Sequence, residues 1–234
     1  MQDYYIGENS KEKFSSKIIV IGNTLVGKTS ILSRYINNFF AENKEYVTIG
    51  LSINTQTEHI LNNSKLGMDY MVKTIDIDNI QMKLEFWDTA GQERFRSVIQ
   101  QYYNDSQGAV LVFDLTNSKS FSDLKYWAQQ LKDFADPLLI KMLLGNKSDI
   151  ETDRKIQKEE VEKFCNLNDF FYYETSAKLN TNIDACFFDL AKKIKERFYI
   201  AKKLSFDNSE VLIRLKDKRD GSSYTPPNKN VCYC

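Results

Sequence analysis

The stretch that decides the fold is KIIVIGNTLVGKT, residues 17–29. Its opening is a run of β-branched and apolar side chains. Its close, GNTLVGKT, satisfies the pattern G-x-x-x-x-G-K-[ST] where a strand gives way to a helix. The chemistry asks for this arrangement. Glycine lets the backbone curl until successive N–H groups face phosphate oxygens, and a helix beginning near Lys28 adds its positive end to the same place. Gly22, Asn23, Thr24, Leu25, Val26 and Gly27 would form the cradle, with Ser30 following in the first turn of the helix. Lys28 would reach the β- and γ-phosphates and Thr29 would ligate Mg2+. Read alone, the stretch says nucleotide phosphate without saying which base.

Four similar apolar runs follow: MKLEFWD (82–88), GAVLVFDL (108–115), LIKMLLGNK (139–147) and FFYYETSA (170–177). Near-continuous apolar runs read as strands buried on both faces, and helical patterns separate them. Residues 118–134 carry Phe121, Leu124, Trp127, Ala128 and Leu131 at helical spacing, and residues 181–199 do the same with Ile183, Phe187, Leu190, Ala191 and Ile194. The alternation predicts an α/β chain with a doubly wound, mostly parallel sheet and helices on both faces. In such sheets ligands bind beyond the carboxyl ends of the strands, so chemistry is expected just after each run.

At 234 residues the chain has room for one α/β domain and a modest tail. Lys plus Arg equals Asp plus Glu, 32 each, so no overall positive field draws it to nucleic acid, and none is expected as a partner. The first residues lack the apolar core of a signal peptide, and no stretch approaches the length of a membrane span, which places the expected site of action in the cytosol. Cys165 and Cys186 fall within helical patterns while Cys232 and Cys234 stand near the end of the sequence, a distribution that fits reduced thiols better than a disulfide framework. The single histidine, His59, lies in a polar segment and is expected to face solvent.

Two further loops carry a family resemblance. NKSD, residues 146–149, resembles the guanine-recognition motif N-K-x-D of small GTPases, and ETSAK, residues 174–178, resembles the same family's last guanine contact. The resemblance implies that Asp149 accepts hydrogen bonds from N1–H and the exocyclic amine of guanine, groups that adenine does not offer, so the wrong base leaves a carboxylate unpaired. It also implies that Asn146 ties the base to the phosphate loop, that the stem of Lys147 covers the ring, and that the Ala177 N–H approaches the guanine oxygen, with Ser176 and Lys178 beside it. WDTAGQE, residues 87–93, resembles the second switch of the family. There Asp88 would hold Mg2+ through a water, the Gly91 N–H would touch the γ-phosphate, and Gln92 would orient the attacking water. Hydrolysis of GTP to GDP would be slow without an activating protein.

The resemblance covers about residues 17–198 and is nearest to the Rab branch, through LGMDYMVKTI (66–75), MKLEFWDTAGQERFRS (82–97) and QYYNDSQGAVLVFDLT (101–116). It implies the G domain of a P-loop NTPase with a six-stranded sheet over residues 17–203, a flexible extension before it (1–16) and a flexible tail after it (204–234). Phe86, Trp87 and Tyr102 read equally as effector-facing or as ordinary packing. The ending Cys-Tyr-Cys resembles the C-x-C terminus on which Rab proteins receive two geranylgeranyl groups, at Cys232 and Cys234, enough for stable anchoring. Nearby Lys216, Lys218, Arg219 and Lys229 would either favour anionic membranes or merely keep the tail soluble. The implied partners are an exchange factor, a GTPase-activating protein, a GDP-dissociation inhibitor and effectors. A monomer is expected, lipid-anchored on the cytoplasmic face of intracellular membranes and cycling with the cytosol.

Two features break the pattern. TIG, residues 48–50, is separated from MDYMVKT by residues 51–67, and removing that segment restores a family-like YVTIGMDYMVKT. It reads first as a retained intron and second as a genuine loop insertion. Thr48 is the expected switch ligand of Mg2+ and contact of the γ-phosphate, because Lys65, which precedes the second copy of the string, cannot ligate a cation. The second break is Thr24-Leu25, where many relatives carry glycine or another small residue. Side chains there are expected to slow hydrolysis. Two other readings stay open: a GTP-binding adaptor that does not cycle, and a P-loop kinase or ATPase, against which NKSD and ETSAK speak.

Overall fold

The computed structural model describes residues 12–41, 68–89 and 102–199. Strand β1, Glu12–Gly22, lies inside a six-stranded sheet of order β2-β3-β1-β4-β5-β6. The others are β2 Met68–Ile77, β3 Ile80–Thr89, β4 Gly108–Asp114, β5 Ile140–Asn146 and β6 Phe171–Glu174. Every neighbouring pair is parallel except β2 and β3, which form an antiparallel hairpin. Its turn residues, Asp78 and Asn79, both adopt left-handed backbone, with φ 48° and 64°. That handedness matches the twist of the two strands it joins.

Burial on both faces follows from the pleat. Ile18 and Val20 point into one apolar cluster, whereas Ile19 and Ile21 point into a second on the opposite face. The first cluster is closed by α1, Lys28–Asn37, and by the helix Ile183–Ile194, here α5. The second is closed by α3, Leu124–Phe134, and α4, Lys158–Asn168. A short α2, Ser118–Ser122, precedes α3. Side chains such as Phe187 and Trp127, essentially inaccessible to water, each contribute about 1.5–3 kcal/mol or more through burial.

Three boundaries differ from the expectation. Residues 12–16, assigned to a flexible extension, belong to β1: they pair with β3 from Glu12 opposite Ile80, and Phe14 packs on the first cluster. The single helix expected over 118–134 is divided at Asp123, whose carboxylate is held by Asn23 of the phosphate loop at 2.6 Å. The helix expected over 181–199 is α-helical only over Ile183–Ile194 and continues as a π-helical turn, Lys195–Tyr199. At that change the Lys195 ammonium pairs with Asp78 of the β2–β3 turn. Among the described residues no helix is long and apolar enough to cross a membrane. Cys165 and Cys186 are buried free thiols on α4 and α5.

The parallel arrangement brings the carboxyl ends of β1, β3, β5 and β6 to one edge of the sheet. Register fixes their levels: Val20 lies opposite Asp88, Gly22 opposite Val112, Asp114 opposite Asn146 and Gly145 opposite Glu174.

Candidate nucleotide site

The two glycines that define the phosphate motif are required by packing. Gly22 has φ +138°, and a Cβ there would stand 2.2 Å from the Val112 carbonyl oxygen on β4. Gly27 has φ +96°, and a Cβ there would stand 2.3 Å from the Asn146 amide nitrogen. The first glycine lets the loop leave the sheet against its neighbour strand. The second lets it pass beneath the base-recognition loop.

Between them the loop is anchored from behind. The Asn23 amide donates to Asp123 at 2.6 Å, and its oxygen accepts the indole N–H of Trp127 at 2.9 Å. The sequence marked Trp127 only as a core residue of a helical face. It is that as well, 1% exposed, but its nitrogen holds the phosphate loop. The tip of the loop is Thr24 and Leu25, both exposed, and Leu25 sits at φ 66°, a left-handed conformation unfavourable for a side chain of its shape.

Lys28 is buried, its ammonium curled onto the loop's own carbonyls at Gly22 (3.0 Å) and Asn23 (2.8 Å). Burial pushes its pKa down to about 8, against the opposing pull of Asp88. Thr29, the next residue of α1, donates its hydroxyl to Asp88 Oδ2 at 2.5 Å. Asp88 is completely buried, and its Oδ1 has no hydrogen-bond partner among the described residues. Burial raises its pKa to about 6; Lys28 and the Thr29 hydroxyl work against that rise, and Asp69, directly across the β2–β3 ladder, adds to it. A hydroxyl and a buried carboxylate with an unused oxygen, all hard oxygen donors, fit a divalent cation such as Mg2+.

The base end is assembled from the segments after β5 and β6. Asn146, 2% exposed, donates to the Val26 carbonyl of the phosphate loop at 2.9 Å and accepts the Ala177 N–H at 3.4 Å. One amide thus ties three predicted elements together. Lys147 takes a left-handed backbone, φ 67°, and its ammonium is clasped by Asp114 at 2.6 Å. Asp114 is fixed in turn by the backbone N–H and hydroxyl of Thr116, both at 2.8 Å. Sequence reasoning missed Asp114, although the string FDLT at the end of an apolar run was a place to look. Asp149 accepts the Ser176 hydroxyl at 2.6 Å on one oxygen, and Ser176 Oγ accepts the Leu179 N–H at 3.0 Å. Thr175 and Ser176 are completely buried and Ala177 nearly so, while Lys178 is exposed.

Phe86 does not face a partner: it lies at 0% exposure in the core, edge-on to Tyr35 and Phe187. Its neighbour Trp87 points the other way, and is half-buried between Tyr70 (5.1 Å between ring centroids) and Tyr102 (5.4 Å). Thr48, Gly91, Gln92, His59, Cys232 and Cys234 lie outside the described residues, as do residues 51–67 and 204–234.

A G-x-x-x-x-G-K-T loop between strand and helix, at one edge of a mostly parallel six-stranded sheet, defines the P-loop nucleotide-binding fold. The sequence model of the Ras family matches residues 17–65 and 58–196, in two segments that meet inside the interval where the pattern breaks. The chain is 38% identical to Ras-related protein Rab-8A of Gallus gallus, over 77% of this chain and 79% of the relative. It is 34% identical to the GTP-binding protein YPT1 of Saccharomyces cerevisiae, over 80% and 82%. With Ras-related protein Rab-13 of Canis lupus familiaris the identity is 32%, over 93% and 90%. The chain belongs to the Ras family, as a Rab-type small GTPase. Such proteins bind guanine nucleotides, hydrolyse GTP and serve vesicle traffic with the help of regulators and effectors.

Proposed function

We propose that this GTPase holds one guanine nucleotide along the edge described above and uses Gln92 to orient the water that attacks the γ-phosphate. The observation that carries the reading is the Asn146 amide, which joins the Val26 carbonyl of the phosphate loop to the Ala177 N–H of the base loop. A nucleotide laid across that junction has its phosphates over residues 22–30 and its base between Lys147 and Ala177. Asp149 reads the N1–H and amine, and the stem of Lys147, steadied by Asp114, covers the ring.

At the phosphate end the N–H groups of the loop and Lys28 bind the β- and γ-phosphate oxygens. Thr29, Asp88 and Thr48 would hold Mg2+, which would supply neutralisation of the charge on the β- and γ-phosphates. The Gly91 N–H reports the γ-phosphate to the second switch. In hydrolysis the attacking oxygen forms a bond to the γ-phosphorus as the bond to the β–γ bridging oxygen breaks, giving GDP and phosphate. Cys232 and Cys234 carry two prenyl groups, so the GTP form works on the cytoplasmic face of intracellular membranes. A GDP-dissociation inhibitor returns the GDP form to the cytosol; an exchange factor and an activating protein drive the cycle.

The test is single-turnover hydrolysis in protein loaded with GTP, beside the release rate of bound GDP with and without Mg2+. Gln92→Leu is expected to slow hydrolysis by about tenfold or more while leaving GDP release within about twofold. Hydrolysis at the parent rate in that variant would remove Gln92 from the mechanism. A second reading, a GTP-binding adaptor that does not cycle, is favoured by the division of the Ras-family match into two segments, 17–65 and 58–196, that overlap inside the interrupting segment after Thr48. Failure to capture any partner in a GTP-dependent way, with hydrolysis absent, would favour the adaptor. A transcript lacking codons 51–67 would remove the ground for it.

A further inference from the structure

We propose that Arg34 is a positioning residue for guanine recognition, holding the base loop so that the Ala177 N–H faces the oxygen on C6. The inference rests on the reading of Ala177 given above and adds what aims it.

Arg34 stands in the last turn of α1, six residues after Lys28, so its Cα lies about 9 Å further along the helix axis. Its side chain is fixed on both edges. On one edge Nη1 donates to Asn38, to the carbonyl oxygen at 3.0 Å and the side-chain oxygen at 3.2 Å. Asn38 is the left-handed cap of α1, at φ 51°, and its own N–H returns to the Arg34 carbonyl at 3.0 Å. The other edge presents Nε and Nη2, two parallel N–H groups, to two successive carbonyls of the base loop: Ala177 at 2.8 Å and Lys178 at 3.2 Å.

That contact has a directional consequence. The Ala177 carbonyl and the Ala177 N–H belong to the two peptide planes that flank one Cα. With the carbonyls of 177 and 178 held by Arg34, the Ala177 N–H points away from the guanidinium, toward Asn146. There it meets Asn146 Oδ1 at 3.4 Å, a long bond that a better acceptor can replace. The rest of the loop is already closed on itself, since Ser176 and Thr181 exchange N–H···O bonds of 3.2 and 3.0 Å, so it moves as a unit. Arg34 therefore sets where that unit sits relative to α1, whose first residues serve the phosphates. A planar fork holds two carbonyls in one fixed direction, which a rotating ammonium does not impose.

The test is a selectivity measurement rather than an affinity alone. GDP, 6-thio-GDP and IDP compete against a fluorescent GDP analogue on the parent protein, Arg34→Ala and Arg34→Lys. The sulfur of 6-thio-GDP is a poor acceptor at C6 and spares the groups read by Asp149, whereas IDP lacks the amine and keeps the oxygen. The parent protein is expected to prefer GDP over 6-thio-GDP by about threefold to tenfold, the range of one hydrogen bond. In Arg34→Ala that preference falls below about twofold, the preference over IDP stays, and GDP leaves faster. Arg34→Lys lies between, and it decides the matter if the alanine variant does not fold. An unchanged ratio in a folded variant overturns the proposal, and so does a parallel fall of both ratios, which is general loosening. Absence of the preference in the parent protein overturns the reading of Ala177 and the proposal with it.

Discussion

The two ends of the site are built on opposite principles. At the base end Asp149 is met by Ser176, Lys147 by Asp114 and Asn146 by both neighbouring loops. At the phosphate end two ionisable groups are buried: Lys28 is pushed down to about 8 and Asp88 up to about 6, and among the described residues one Asp88 oxygen has no partner. The base end is thus held in place by its own hydrogen bonds, which suits it to discriminate. The phosphate end has taken on the cost of burying charge, which phosphate oxygens and a cation would offset, and this suits it to bind.

Gly27 lies where the two ends meet, and substitution there should be the most damaging single change. A Cβ would stand 2.3 Å from the Asn146 nitrogen, and the backbone is at φ +96°. Asn146 cannot yield without giving up the Val26 carbonyl, so backbone strain of about 1–3 kcal/mol adds to a lost buried hydrogen bond of similar size. Gly27→Ala is expected to weaken GDP binding by about 100-fold or more, read as an accelerated release of a fluorescent GDP analogue. Release at the parent rate would mean that the two ends are not joined through Asn146.

Asp88→Asn should separate the ends. The amide keeps the shape and can still accept the Thr29 hydroxyl, but it no longer offers a carboxylate to a cation. The slowing of GDP release by Mg2+ should shift to about 10–100-fold higher Mg2+. The preference for GDP over ADP should stay as it is, because Asp149 and Ala177, proposed to set it, lie on other loops. A matching loss of base preference would show the two ends to be one coupled unit.

The sequence made parts of this site legible for a physical reason. In GNTLVGKT the residue types carry their own explanation, because only glycine tolerates φ +138° against Val112 or φ +96° beneath Asn146. The apolar runs of β1, β4 and β5 likewise foretold strands buried on both faces, whereas β3 alternates between buried and more accessible positions and β6 is only half-buried. What could not be read were contacts between distant residues. Asn23 meets Asp123 and Trp127 across 100 and 104 positions, and no periodicity announces them. The same contact explains the misjudged helix over 118–134: the apolar spacing runs through Asp123, but the carboxylate is engaged by the phosphate loop and the helix is divided there. The guanine contacts proposed for Asp149 and Ala177 rest on resemblance alone.

Leu25 tests the comparison most gently. It stands 65% exposed at the tip of the phosphate loop with φ 66°, where a leucine bears about 1–2 kcal/mol of strain. Leu25→Gly removes that strain, but the freer unfolded chain takes back about 0.5–1 kcal/mol. Net stability should therefore rise by no more than about 1.5 kcal/mol, a few degrees in Tm. The informative readout is hydrolysis. If the bulk at the loop tip is what restrains chemistry at the phosphate end, single-turnover GTP hydrolysis should quicken, by up to about tenfold or 1.4 kcal/mol, while GDP release stays unchanged. A quickened release instead would place Leu25 among the groups that hold the nucleotide. No change in either would move the cause of slow turnover away from this loop, toward the switch segments that carry Thr48 and Gln92.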